Sequence, residues 1–212
     1  MRFDRCKKLF GDDFTKLQNA KVLVLGVGGV GGMLVDCLAR SGVGYIMIVD
    51  DDIFDETNQN RQLYSEYVGE KKVEVFVKKY ECIEPIFQRV TKEWVEKFDF
   101  EKFDVVVDAI DDIPAKVALA VKCHDKLISS MGSAKRVDPL MIEVKDIWKT
   151  YGDKLAKKFR YELKKAGFSK KFDVVFSSEE PKCNEMGSFM GVTGSFGLTL
   201  CSLVVKRLVK FE

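Results

Sequence analysis

Apolar positions along the chain fall into short runs separated by glycines, acidic clusters and stretches of helical spacing. Residues 21–25 (KVLVL) form a β-rich run closed by glycines. Residues 33–40 take up a helical pattern, and residues 45–49 (YIMIV) form a second run ending in Asp50, Asp51 and Asp52. A strand, a glycine turn, a helix and a second strand in such close succession predict a βαβ unit and therefore parallel pairing. Between residues 69 and 84, Val73, Phe76, Val77 and Tyr80 keep helical spacing, with Pro85 as the expected stop. Residues 86–90 (IFQRV) read as a short strand, 103–107 as a buried strand running into DAIDDIP, and 127–131 as one more. Pro114 stands near the start of a helix expected over 115–124. Strands alternating with helices predict an α/β fold: a Rossmann-like, doubly wound, mostly parallel sheet.

The pattern then changes. Leu155, Phe159 and Leu163 recur at i, i+4 and i+8, which predicts an amphipathic helix with a basic outer face. The chain as a whole is nearly balanced, with 35 basic and 33 acidic residues, but residues 145–171 alone hold ten basic against three acidic. The expectation is a single domain over residues 1–212, carrying residues 145–171 as a basic, partly helical C-terminal elaboration. A chain that is 46% hydrophobic and 32% charged buries enough apolar surface to exclude intrinsic disorder. Six cysteines without a CxxC pair, and one histidine (His124), argue against structural zinc and for reduced thiols. The charged N-terminus and the short apolar runs point to a cytoplasmic protein with no membrane partner.

The candidate chemistry begins in the glycine turn. GVGGVGG places Gly26, Gly28 and Gly31 in G-x-G-x-x-G register, and Asp50 follows Gly26 by 24 residues at the end of the second strand. Such glycines let the backbone close on a phosphate at a helix N-terminus, while the acid suits a ribose; a nicotinamide dehydrogenase is open at this point. Asp52, Asn58, Arg61, Gln62 and Lys72 follow in close order. Two cations and an amide are more than a dinucleotide needs, and suit a triphosphate whose charge is neutralised during attack at the α-phosphate. Asp111, in DAID, adds a carboxylate for magnesium.

With the GVGGVG loop, VDDD, N-x-N-R-Q, the Lys72 helix and DAID, the sequence resembles the adenylate-forming fold of ubiquitin-activating enzymes and the bacterial ThiF and MoeB proteins. The resemblance implies that a carboxylate attacks the α-phosphate of magnesium ATP to give an acyl-adenylate. It implies that Gly26, Gly28, Gly29 and Gly31 line the phosphates and that Asp50 holds the ribose. Asn58, Arg61 and Lys72 would stabilise the triphosphate, and Asp111 would position Mg2+. Asp52 and Gln62 complete the expected ATP-binding set, within which Arg61, Lys72 and Asp111 are the catalytic candidates. In some members the arginine-bearing turn reaches across a dimer.

A narrower resemblance covers most of the chain. RFDRCKKLFGDDF, SSMGSAKRVDP, YGDKLAKKFRYELKK and VVFSSEEP look like the tRNA threonylcarbamoyladenosine dehydratase branch. It implies activation of the threonyl carboxylate at tRNA position 37, then ring closure with net loss of water. The basic stretch gives the footprint expected of an RNA backbone; a merely solubilising helix is the plainer reading. Ser177, Ser178 and Glu179 face the substrate on this resemblance, Cys183 reads as an ordinary loop thiol, and His124 as structural. Residues 189–205 form a glycine-rich helix that either packs inside the chain or, as the superfamily implies, against a second copy in a homodimer. A sulfur-transfer partner protein is left open. The competing readings are an adenylyltransferase acting on the C-terminal Gly-Gly of a ubiquitin-like sulfur carrier, and a silent nucleotide binder.

Overall fold

The computed structural model describes residues 2–209. Two short helices, α1 (Asp4–Phe10) and α2 (Phe14–Asn19), precede β1 (Lys21–Leu25), α3 (Gly31–Ser41) and β2 (Tyr45–Asp50). A long loop leads to α4 (Lys72–Lys79), β3 (Ile83–Phe87), α5 (Lys92–Lys97), β4 (Val105–Asp108), α6 (Ile113–Cys123) and β5 (Leu127–Ser130). The chain ends in β6 (Ile142–Asp146), α7 (Lys154–Lys165), β7 (Asp173–Ser177) and α8 (Met190–Leu208). All seven strands form one sheet in the order β3-β2-β1-β4-β5-β7-β6, parallel except for β6 against β7. The α/β, doubly wound fold read from the sequence is therefore the one present.

Strand alternation explains the layering. In β1, Val22 and Val24 face a core shared with α2, α3, α4 and α8, whereas Leu23 and Leu25 face one shared with α5, α6 and α7. The glycine-rich helix α8 turns Val192, Phe196, Leu200 and Val204 into the first core, so its packing inside the chain is what the structure describes. A Cβ at Gly197 would lie 2.8 Å from the Met33 Cβ, which is how closely α8 and α3 approach. Among the described residues no helix is long and apolar enough to cross a membrane.

Two expectations need correction. The helix read over 69–84 covers only Lys72–Lys79. Gly69 turns at φ +86°, its N–H donating to the Phe54 carbonyl at 2.8 Å, and Tyr80 leaves the helix in an extended conformation. Pro85 does not stop that helix but lies within β3, which replaces the strand read at 86–90. As the edge strand β3 pairs on one side only, and a residue without an N–H is tolerated there. Residues 145–171, read from the sequence as a basic and partly helical elaboration, are joined to the sheet at both ends. They finish the unforeseen strand β6, form α7 and lead directly into β7. Within α7, Ala156, Phe159 and Leu163 are buried, while Leu155 is half-buried and Lys154, Lys157, Lys158, Lys164 and Lys165 are exposed.

Candidate functional site

The strand order reverses at β1, between β2 and β4, and the carboxyl ends of these strands open onto a cleft of about 480 Å³. Its first wall is the glycine loop. Gly26 sits at φ +87° and donates its N–H to the Val49 carbonyl at 2.8 Å; a Cβ there would meet the Ala109 oxygen at 2.8 Å. Gly28 has nothing nearer to its Cβ position than the Gln62 Nε2 at 3.9 Å, so the backbone is open to the cleft. The N-terminus of α3 carries no side-chain cap; the Gly32 N–H is taken by the Gly28 carbonyl at 2.8 Å, and the positive end of the helix faces an anion through the remaining first-turn amides.

The second wall comes from β2 and the loop after it. The Asp50 carboxylate accepts the Val27 N–H at 2.7 Å and the Asp52 N–H at 2.8 Å, tying the glycine loop to the strand end. Burial pushes this carboxyl above the usual carboxylate value, against the opposing pull of those two amides and the Lys72 charge. The Lys72 side chain is 4% exposed, and its Nζ lies 2.8 Å from an Asp52 carboxylate that faces solvent. A buried ammonium is thus held at the rim by a partner that remains hydrated. Arg61 Nη1 donates to the Thr57 carbonyl at 2.7 Å and to Asn60 Oδ1 at 2.9 Å, anchoring the guanidinium on its own turn. Asp111, exposed on the β4–α6 loop, closes the third side; its neighbour Asp112 caps α6 through the Ala115 N–H at 2.8 Å.

The cleft therefore gathers Gly26, Gly28, Gly29, Asp50, Asp52, Arg61, Gln62, Lys72 and Asp111. Gly31 and Asn58 are not in its wall. A Cβ at Gly31 would stand 1.8 Å from the Gly26 oxygen, so this glycine permits the helix start to pack on the loop. Asn58 is buried and turned inward, its amide exchanging hydrogen bonds with Asp55 while its carbonyl accepts the Arg61 and Gln62 N–H groups. It shapes the turn that presents Arg61. Against the sequence expectation, Ser177 and Glu179 are buried as scaffold. Glu179 Oε2 accepts the Val137 and Asp138 N–H groups at 3.0 and 2.9 Å.

A second cleft of about 830 Å³ adjoins the first. Val30, Ala109, Ile110, Asp111 and Ser133 line both, so Asp111 stands where the two meet. The new walls are residues 130–136, the N-terminal turn of α7 with Lys154, and the loop bearing Cys183. Arg136 holds these walls together. Its buried guanidinium donates to Asp153 Oδ2 and to the Ser177 carbonyl, each at 3.1 Å, to the Glu179 carbonyl at 3.1 Å, and to the Gly132 carbonyl. His124 lies outside both clefts, edge-on to Phe168 at 5.6 Å.

The residues present fit a magnesium nucleoside triphosphate. Open glycine backbone and uncapped helix amides suit phosphate, Lys72 and Arg61 supply positive charge, and Asp111 offers a hard oxygen donor.

Residues 4–212 match the ThiF family. The chain is 42% identical to the tRNA threonylcarbamoyladenosine dehydratase of Bacillus subtilis over 176 residues, covering 78% of this chain and 69% of that protein. It is 31% identical to the Haemophilus influenzae protein of the same name, covering 99% and 96%. Its structure is similar to the crystal structure of E. coli tRNA N6-threonylcarbamoyladenosine dehydratase in complex with ATP. The TM-score is 0.93 at 33% identity, covering 98% of this chain and 93% of that one.

Proposed function

The chain belongs to the ThiF family, and from that premise we propose that it is an ATP-dependent tRNA threonylcarbamoyladenosine dehydratase. The observation that carries this reading is the junction of two clefts at Asp111, one fitted to a triphosphate and the other bordered by a basic helix. Whole-length likeness to dehydratases, one of them in complex with ATP, supports the same substrates here.

In this reaction the glycine-loop amides bind and orient the triphosphate, and Asp50 accepts hydrogen bonds from the ribose. Gly31 and Asn58 act behind the site, by packing the loop and shaping the Arg61 turn. The threonyl carboxylate enters from the second cleft, and its oxygen attacks the α-phosphorus. Pyrophosphate leaves, and Lys72 and Arg61 offset the charge that develops. Magnesium, which Asp111 would hold, supplies further neutralisation of the phosphates. Ring closure within the substrate then expels AMP, and the net change in the nucleoside is loss of one water. No enzymic nucleophile is required, because the second step is intramolecular. Nucleoside mass spectrometry of modified tRNA incubated with the protein and magnesium ATP tests this. A product one water lighter than threonylcarbamoyladenosine is expected, and an unchanged nucleoside would refute the reaction.

The exposed lysines of α7 lead away from the mouth of the second cleft and suit an RNA backbone. Reversing the charge of Lys157, Lys158, Lys164 and Lys165 is expected to weaken tRNA binding by about tenfold or more at about 0.15 M salt, and to flatten its salt dependence. ATP binding should stay as it is. Unchanged tRNA affinity would remove α7 from the interface.

A further inference from the structure

Beneath the junction of the two clefts lies a charged pair that the proposed reaction leaves unused. Lys116 on α6 and Asp108 at the end of β4 both have fully buried side chains, 0% exposed, and their Nζ and Oδ2 are 2.9 Å apart. The ammonium donates also to the Ser130 carbonyl at 2.8 Å and to Ser129 Oγ at 3.2 Å, giving its three protons three acceptors. Ser129 in turn donates to Asp108 Oδ2 at 2.6 Å, and Asp108 Oδ1 accepts the Ile110 N–H at 3.2 Å. The Phe159 ring of α7 lies 5.9 Å from the ammonium.

The bonds run to two places that matter for the site. Through Asp108 and Ile110 they fix the loop that presents Asp111; through Ser129 and Ser130 they fix the strand end that continues into Ser133. Asp111 and Ser133 are both among the residues shared by the two clefts. We infer that Lys116 is a positioning residue, which sets the Asp111 loop against the Ser130–Ser133 segment and so aligns the triphosphate cleft with the substrate cleft. An apolar side chain of similar volume at such a position is often neutral for stability, so a fully desolvated pair here serves geometry better than it serves folding. The inference deepens the proposed function and rests on it for the reaction that is aligned.

The test is the double variant Lys116→Met/Asp108→Asn, which removes both charges and orphans neither. Turnover, measured as AMP formed with modified tRNA, is expected to fall on the order of a hundredfold, the scale of a misplacement of about 1 Å between reacting groups. The KM for ATP should move by less than about threefold, because the glycine loop, Asp50 and Lys72 do not depend on this tie. Amide hydrogen exchange should quicken together in segments 108–112 and 130–133, and not in 49–53. Turnover within about threefold of the wild type, a KM rising in step with the loss, or quickening in one segment alone would each overturn the inference. If the double variant does not fold, Ser129→Ala deletes one acceptor of Lys116 and one donor to Asp108 without touching a charge. It is expected to lower turnover about fivefold with the same paired exchange, and no change in either would overturn the inference. Wild-type protein that forms no AMP with modified tRNA would instead defeat the proposed reaction, and the exchange arm would still decide whether Lys116 ties the two segments.

Discussion

Lys72→Met is expected to fold normally and to lose about two to three orders of magnitude in turnover, the usual effect of deleting one preorganised charge donor. The fold should tolerate the change because its partner, Asp52, is 65% exposed and returns to water rather than being left buried and unpaired. The loss should fall on kcat more than on ATP affinity. The glycine loop and Asp50 bind nucleotide in the ground state, while a cation at the rim acts on charge that grows at the α-phosphate. Steady-state kinetics beside a thermal melt check both halves. A variant with wild-type kcat would remove Lys72 from the reaction.

Gly31→Ala is expected to fail for a different reason, before any substrate binds. Its Cβ would stand 1.8 Å from the Gly26 oxygen and 2.8 Å from the Gly26 carbonyl carbon. Neither side can yield cheaply. Gly26 is fixed by its bond to Val49 and by contact with Ala109, and α3 is wedged between β1 and α8. A clash between backbone atoms in a close-packed layer puts the cost at about 4 kcal/mol or more, a large share of the stability of an ordinary domain. Soluble yield and chemical denaturation measure it. A Gly31→Ala protein with near wild-type stability would show that the loop can relax.

Residues whose role is set by near neighbours in sequence were legible before the structure. The βαβ unit, the open Gly28 and the placement of Asp50 at a strand end all follow from local spacing. So does the gathering of Arg61, Lys72 and Asp111, once β1, β2 and β4 are adjacent. What escaped depends on contacts across the fold. Arg136 meets acceptors at residues 132, 153, 177 and 179, and no periodicity announces such a set. Lys116 looks like any helix lysine until the packing of α6 against β4 and β5 buries it. Gly31 and Asn58 carry the motif spacing of ligand-facing residues, yet their side-chain positions point into the scaffold that holds the ligand-facing ones. Pro85 read as a helix stop because a proline alone does not reveal that its segment is an edge strand.

AMP formation from magnesium ATP tests the central claim most directly, with pure protein and tRNA that either carries or lacks threonylcarbamoyladenosine. AMP released only in the presence of the modified tRNA is the expected result, since the threonyl carboxylate must reach the α-phosphate through the second cleft. AMP formed equally with either tRNA, or none with both, would contradict it. The first of those outcomes would turn attention to a carboxylate supplied by a carrier protein, the second to a site that binds nucleotide without using it.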